Sequence, residues 1–310
     1  MNVQLSVKII ETRSYVLIQP RHAVALIMDS PNSGATYPDD FGYTCRLEDL
    51  CSEEDTHVDK LWSVAPSLGV TLLAANAPRS YIDCNCSLTD VDCETNDNRC
   101  GVSVHQADLT DMRHGVVWRN LSGGSPIYSV KLSPLAVRSR IESYYLPYHD
   151  ALRKTIKSLR RKHGVVWHLN LHSVTANEHG RFGTASNKPL TDFVLDDCDG
   201  TSCAYQFTKI VTKLLRELGY TVSINKPGNL TEIVTRHGRP RQKRHSLQVG
   251  VRRNLYMDER TREPNAGFEL LRADLALVTK SLVSTLSDLT KKLYKPKVPS
   301  KRSIGKVRNS

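Results

Sequence analysis

Apolar residues recur along this chain in two periods, and the places where one gives way to the other mark out its elements. His22 to Asp29 (HAVALIMD) is a short apolar run closed by the breakers Ser30-Pro31-Asn32-Ser33-Gly34, the pattern of a buried strand delivering a loop. Strand ends of this kind are where α/β sheets place chemistry. Val58, Leu61, Trp62, Ala65 and Leu68 recur at helical spacing behind the acidic cluster Glu53-Glu54-Asp55, which suits a helix N-terminus; Gly69 ends that helix and Val70 to Ala75 begins another strand. Ser133 to Lys162 is helical with Pro147 inside it, which predicts two helices or one kinked helix. Val165 to Leu171 reads as a strand ending at His172-Ser173, Ala204 to Leu218 as an amphipathic helix closed by Gly219, and Tyr220 to Asn225 as a strand. Leu247 to Val251 adds a strand, and Ala266 to Leu289 a last helix.

Strands alternating with helices predict an α/β fold with a mixed, mostly parallel central sheet and helices on both faces. No internal repeat is visible. Ser87 to His114 is polar, rich in Asp, Asn and Cys, and lacks periodicity, so it reads as a long loop or insertion. The expected organisation is a single domain over residues 1–290 and a basic, structureless tail over 291–310.

Charge changes this picture only locally. Of the formal +11, most comes from eight cations at the end, Lys291, Lys292, Lys295, Lys297, Lys301, Arg302, Lys306 and Arg308, with no acid among them. A second basic stretch runs from Arg236 to His245 and holds Arg241, Lys243 and Arg244; a third lies on the helix around Arg153, Lys154, Lys157, Arg160, Arg161 and Lys162. A solvated helix face is the commoner meaning of the third. No aromatic-interleaved platform accompanies these stretches, so the expectation is contact with phosphates without base reading, or a tail that only solubilises or targets the chain. No apolar run reaches the roughly 20 residues of a membrane span.

Eight cysteines in a chain of 310 residues without a clean secretory signal fit free thiols in a reducing intracellular compartment, the mitochondrial matrix or the cytoplasm. Met1 to Arg21 carries Lys8, Arg13 and Arg21 against Glu11, a poor presequence whose β-branched content reads better as a first strand. Cys84, Cys86, Cys93 and Cys100 are not spaced as Cys-x2-Cys knuckles, so a four-thiolate zinc site is the lesser expectation.

Taken in order, the segments resemble the N-formylglutamate amidohydrolase (deformylase) family, whose members are related to zinc carboxypeptidases. The resemblance runs from about Met28 to about Leu282. It rests on Ser30-Pro-Asn-Ser-Gly34, Glu54-Asp-Thr-His-Val-Asp59, Arg79-Ser-Tyr-Ile-Asp-Cys-Asn85, Gly123-Gly-Ser-Pro-Ile-Tyr128 and Tyr144-Tyr-Leu-Pro-Tyr-His149. It continues through Leu171-His-Ser173, Asp192-Phe-Val-Leu195, Asp199-Gly-Thr-Ser-Cys203, His237-Gly-Arg-Pro240 and Asn254-Leu-Tyr-Met-Asp-Glu259. It implies a zinc-carboxypeptidase-like single domain.

The resemblance also implies a zinc held by a histidine in the loop after the first buried strand, an acid before the next helix and a histidine at a strand end. Two imidazoles and a carboxylate leave an open position for a water whose pKa the metal lowers. Asp55 (or Glu54) and His172 match two of these positions. Asn32 stands at the third, and a neutral amide oxygen is a weak zinc ligand. The glutamate expected as general base reads Gly250, and the arginine expected after Asn85 to fork a substrate carboxylate reads Cys86. Asn85, Arg79, Arg252 and Arg253 remain as candidate anion contacts, and His57 as a candidate replacement ligand.

Two functions follow as expectations. One is a non-catalytic protein: the hydrolase fold without a cofactor, serving as a structural or binding component of a larger protein complex, with RNA reached through the basic tail and Arg241, Lys243 and Arg244. The other is a divergent zinc-dependent amidohydrolase that cleaves the amide of an N-formyl or N-acyl amino acid, using Asp55, His172 and a substitute ligand.

Overall fold

The computed structural model describes residues 7–88, 115–178, 186–189, 191–225 and 232–294. Two strands open the chain where the sequence predicts one: β1 (Val7–Glu11) and β2 (Tyr15–Pro20) form an antiparallel hairpin. Then follow β3 (Leu26–Ser30), α1 (Leu47–Ser52), α2 (Val58–Leu61), β4 (Thr71–Ala75), α3 (Pro134–Arg140), α4 (Leu146–His163) and β5 (Val166–Val174). A two-stranded ribbon pairs β6 (Asn177–Glu178) with β7 (Ser186–Pro189). The chain continues through β8 (Phe193–Asp196), α5 (Tyr205–Glu217), β9 (Val222–Ile224), α6 (Glu232–His237), β10 (Arg244–Arg252) and α7 (Phe268–Leu293).

Among the described residues eight strands make one sheet in the order β1-β2-β4-β3-β5-β10-β8-β9. The inner strands β4, β3, β5 and β10 are mutually parallel, while β2 on β4 and β8 on β10 are antiparallel. The mixed, mostly parallel α/β sheet expected from the sequence is what the chain builds. One face is covered by α2, α5 and α7, whose Leu61, Phe207, Leu275 and Leu282 pack with Trp167, Leu169 and Leu171 of β5. The other is covered by α4, through Tyr148, Leu152 and Ile156. A third cluster, of loop residues, gathers Phe41, Tyr81, Trp118 and Ile127 around the buried Arg140, whose guanidinium stacks 4.0 Å from the Tyr81 ring and donates to Tyr128 Oη and Phe41 O.

Three expectations need correction. The helix expected from Val58 to Leu68 is instead the single turn of α2 and a 3-10 turn over Ala65–Leu68, because Pro66 interrupts it; Gly69, at φ 85°, does end it as expected. The acidic cluster opens no helix: Glu53 follows the end of α1 and accepts from Ser122 N and Oγ. The last helix runs to Leu293, not Leu289, so Lys291 and Lys292 belong to it, and Tyr294 Oη bonds His245 Nε2 at 2.7 Å. The Pro147 kink takes a specific form, a π-helical turn over Ile141–Tyr145 that widens the helix just before the proline. The segment expected to be a loop and the tail from 295 onward lie largely outside the described residues. No described helix is long and apolar enough to cross a membrane.

Candidate functional site

Strand β5 decides where polar groups can gather. Its odd positions Trp167, Leu169 and Leu171 face the α5 and α7 layer. By the two-residue period of a strand, His168, Asn170 and His172 then line the opposite face. The parallel register sets Ser246, Gln248 and Gly250 of β10 beside these three, and Asp29 of β3 beside Asn170. The result is a polar seam inside the sheet, under α4, that opens at the C-terminal ends of β3, β5 and β10.

Asp29 anchors the buried half. Its carboxylate accepts from His168 Nε2 (2.7 Å), Asn170 Nδ2 (2.9 Å) and Tyr148 Oη (2.7 Å). Burial pushes this acid up, but the adjacent His168 and the three hydrogen bonds outweigh it and hold the carboxyl below the usual range. Ser246 Oγ completes the chain at His168 Nδ1, 2.7 Å away. A serine, a histidine and an aspartate in a line invite a hydrolase reading. Here Ser246 is buried beside its histidine, so substrate cannot reach it. The network is structural.

The seam continues outward. With its amide nitrogen given to Asp29, Asn170 turns Oδ1 to His172 Nε2 at 2.8 Å, and Asn85 Nδ2 approaches the same nitrogen at 3.2 Å. At the other side of the ring, His172 Nδ1 donates to Asp55 Oδ2 at 2.8 Å. Asp55 Oδ1 accepts from Ser173 Oγ (2.8 Å), with Arg253 3.6 Å away. Burial again raises this carboxyl, and the bond and charge of His172 with the charges of Arg79 and Arg253 pull it far below its ordinary value.

Of the two acids the sequence left open, Asp55 is the one at the site. Glu54 turns elsewhere, accepting from Tyr37 Oη and from Arg262 at 3.0 Å, and its burial raises its pKa. Asn32 occupies the expected loop position, fully buried; with its amide turned to satisfy its neighbours, it donates to Pro31 O (3.0 Å) and Asp83 Oδ1 (3.2 Å). Gly34 of the same loop has no room for a Cβ, which would lie 2.3 Å from Ala77 O, so this turn requires glycine.

The anion contacts expected from Arg79, Arg252 and Arg253 are corrected by the geometry. Arg79 is buried and gives Nε and a terminal nitrogen to Asp83 Oδ2 (3.1 and 2.8 Å) beneath Trp118. Arg253 donates to Ser173 Oγ, Ser52 O and Glu54 O, and Arg252 pairs with Asp192. None offers a fork to a substrate carboxylate. Asn85 is likewise engaged, its Oδ1 accepting from Ile233 N. Cys86 is buried, its carbonyl accepting from Tyr145 Oη. His57 stands in a left-handed conformation with Nε2 on Arg262 O and Nδ1 near Lys60, so it is no replacement ligand.

A zinc site does not fit this donor set. The two surviving ligand positions, Asp55 and His172, satisfy each other; the third carries an amide that donates to Asp83; Arg253 already stands beside the carboxylate. Among the described residues no group of three or more His, Cys, Asp or Glu side chains is placed to hold a metal ion. Gly250 lies beside His172 in register, where a glutamate would reach the site. A Cβ there would meet Val174 Cγ1 at 3.2 Å, a tight contact that Val174 would have to ease by a few tenths of an ångström. Of the four cysteines considered for a thiolate site, Cys84 and Cys86 are buried, and Cys93 and Cys100 lie outside the described residues.

Sequence reading missed Asp29, Tyr148, His168, Asn170 and Asp83. The signal for two of them, His168 and Asn170, was present: with His172 they put polar residues at every second position of a strand otherwise made of Trp, Leu and Val. The predicted basic contacts lie elsewhere altogether. Arg241, Lys243 and Arg244 sit in the turn entering β10, at the end of the sheet opposite His172, and Lys295, Lys297, Lys301, Arg302, Lys306 and Arg308 lie outside the described residues.

The chain as a whole has known relatives. A family model described as N-formylglutamate amidohydrolase matches residues 24–257. The N-formylglutamate deformylase of Pseudomonas putida is 25% identical over 237 residues, covering 76% of this chain and 81% of that protein; the one of Pseudomonas aeruginosa is 26% identical over 276 residues, covering 87% and 94%. The crystal structure of N-formylglutamate amidohydrolase from Ralstonia eutropha superposes with a TM-score of 0.84 at 42% identity, covering 89% of this chain and 99% of that one. A protein of Agrobacterium tumefaciens shares the fold at 16% identity and a TM-score of 0.61. With three quarters of its length matched and the ordered motifs gathered around one strand end, this chain belongs to the N-formylglutamate amidohydrolase family.

Proposed function

We propose that this chain is a non-catalytic member of its family, a binding or structural module whose hydrolytic site has become a closed hydrogen-bond network. One observation carries the reading: Asp55 and His172, the surviving ligand positions, bond directly to each other, while Asn32 and Gly250 stand where a third ligand and a base are needed. Amide hydrolysis needs an activated water and a group that moves its proton. A general base contributes roughly 10²–10⁴-fold, and glycine supplies none of it. The purified full chain is expected to carry no stoichiometric zinc and to leave N-formyl-L-glutamate intact. Stoichiometric zinc together with turnover would overturn the reading.

The second reading, a divergent hydrolase of N-formyl or N-acyl amino acids, is favoured by the relatives, which are N-formylglutamate deformylases, and by the survival of Asp55 and His172. It requires turnover in the unmodified chain. If activity appears only after Asn32→His and Gly250→Glu are installed together, the first reading stands.

A further inference from the structure

Three stretches of this chain contain cations and no acid: Ala151 to Asn177, Ile233 to Met257, and Leu289 to the end. Folding brings parts of all three to one place, the N-terminal ends of β5 and β10. Arg160 of α4 donates to Gln242 O at 2.7 Å, which joins the helix to the turn before β10. Lys243 lies 4.8 Å over the Tyr294 ring, which joins that turn to the end of α7. Arg244 has its pKa lowered by burial and by the charges of Arg239 and Arg160, so the clusters feel one another.

Cations on this end are unlike those at the site. Lys157, Arg160, Arg161, Arg239, Arg241 and Lys243 are all exposed, and among the described residues none pairs with a carboxylate. The polar contacts of Arg160 and Arg239 are to backbone carbonyls, which leave the positive charge uncompensated. Beyond Tyr294 the sequence adds six cations and no acid.

We propose that this end of the sheet is a docking surface for RNA, engaged through its phosphate backbone. Protein interfaces are depleted in lysine and built around an apolar core, whereas the outer face of α4 from Arg153 to Lys162 exposes only Arg, Lys and Ser. A membrane-binding helix turns an apolar face to lipid, and the apolar face of α4 is buried on the sheet. Because α4 is packed flat on the sheet, it does not project to enter the major groove of DNA and read bases. Duplex RNA is held mostly by its shape and phosphates, which asks only for such a cationic surface. The surface lies at the opposite end of β5 from His172, and the proposal holds whether or not the site hydrolyses anything.

The test is fluorescence anisotropy with a short labelled duplex RNA, using the full chain and a variant carrying Lys157→Ser, Arg161→Ser, Arg241→Ser and Lys243→Asn, the asparagine suiting the left-handed backbone at 243. The parent should bind with an affinity that falls steeply between about 50 mM and 200 mM salt. The variant, with an unchanged thermal midpoint, should bind at least tenfold more weakly, its salt slope shallower by about 0.9 for each phosphate that is no longer neutralised. A chain ending at Tyr294 should bind more weakly than the parent yet still respond to the four substitutions. The proposal is overturned if RNA does not bind, if the variant binds like the parent, or if removing residues 295–310 alone abolishes binding. Equal affinity for duplex DNA, poly-glutamate or phosphatidylserine vesicles also overturns it, by assigning the surface to another occupant.

Discussion

The two ends of the central sheet treat charge in opposite ways. At the C-terminal ends of β3 and β5, Asp55, Asp83, Arg79 and Arg253 are buried and bonded to one another or to fixed neighbours. At the other end, roughly 26 Å away along β5 at the usual rise per residue, cations stand exposed with no carboxylate among the described residues to meet them. A buried ion pair is costly to break because the partner left behind has no water to turn to. An exposed cation has water always, and its charge is available to a ligand. The site end is therefore where mutations should unfold the protein, and the basic end where they should change only what it binds.

The contrast is sharpest at Asp55. Asp55→Ala leaves the His172 Nδ1–H and the Ser173 hydroxyl without their acceptor in a buried setting and takes the nearby countercharge from Arg253. The expected loss is about 3–5 kcal/mol in urea unfolding. A loss below about 1 kcal/mol would mean that water fills the gap, and that the network is open rather than closed.

How much of this could be read from the sequence differs by kind of residue. Apolar periodicity located the inner strands and the long helices, because burial of a face leaves a period that survives without neighbours. Asn32, Gly250, Asp55 and His172 were found through motif order, and the structure does bring Asp55 and His172 together. What the arginines do was not legible. Arg79 and Arg253 looked like anion holders, yet their partners Asp83, Ser52 O and Glu54 O are set by how separate loops close on one another. The short α2 and the early hairpin were misjudged for a related reason: Pro66 and the turn between β1 and β2 act locally, below the window over which periodicity is read.

Acid should expose the buried side of the comparison next. His149 donates from Nε2 to Cys84 O and accepts from Arg236 at Nδ1; burial and that guanidinium lower its pKa to about 3. His237 is lowered to about 3 by burial and the neighbouring His168. An unfolded histidine takes its proton near 6.5, so between 6.5 and 3 the unfolded state binds more protons than the native one. Stability from these groups is complete above about pH 6.5 and falls as pH drops, each adding up to about 1.4 kcal/mol per pH unit. Asp29 and Asp55, with lowered pKa values, add their loss only below about pH 4, where unfolded carboxylates protonate. Urea midpoints at a series of pH values check this. His149→Gln, which keeps a donor for Cys84 O, should reduce the slope between pH 6 and 4 by about one proton.

Restoring the expected base measures how far the packing has closed. Gly250→Glu places a Cβ 3.2 Å from Val174 Cγ1, so Val174 must shift, at a cost of about 1–3 kcal/mol. Val174→Ala should recover most of that cost when combined with Gly250→Glu. If the single substitution proves neutral, the cradle is loose and the space has remained available to a side chain.

The smallest effect belongs to the basic end, where smallness is itself the content of the comparison. Lys157, Arg161 and Arg241 are exposed and make no ion pair among the described residues, so replacing them with serine removes little attraction and relieves some mutual repulsion. The stability of Lys157→Ser, Arg161→Ser and Arg241→Ser should each stay within about 0.5 kcal/mol of the parent. Raising salt should narrow even these differences, since screening at about 0.15 M already reaches within 8 Å. A large loss at any one of them would show that its side-chain stem, and not its charge, holds α4 or the β10 turn in place. The two ends would then differ in exposure alone and not in purpose.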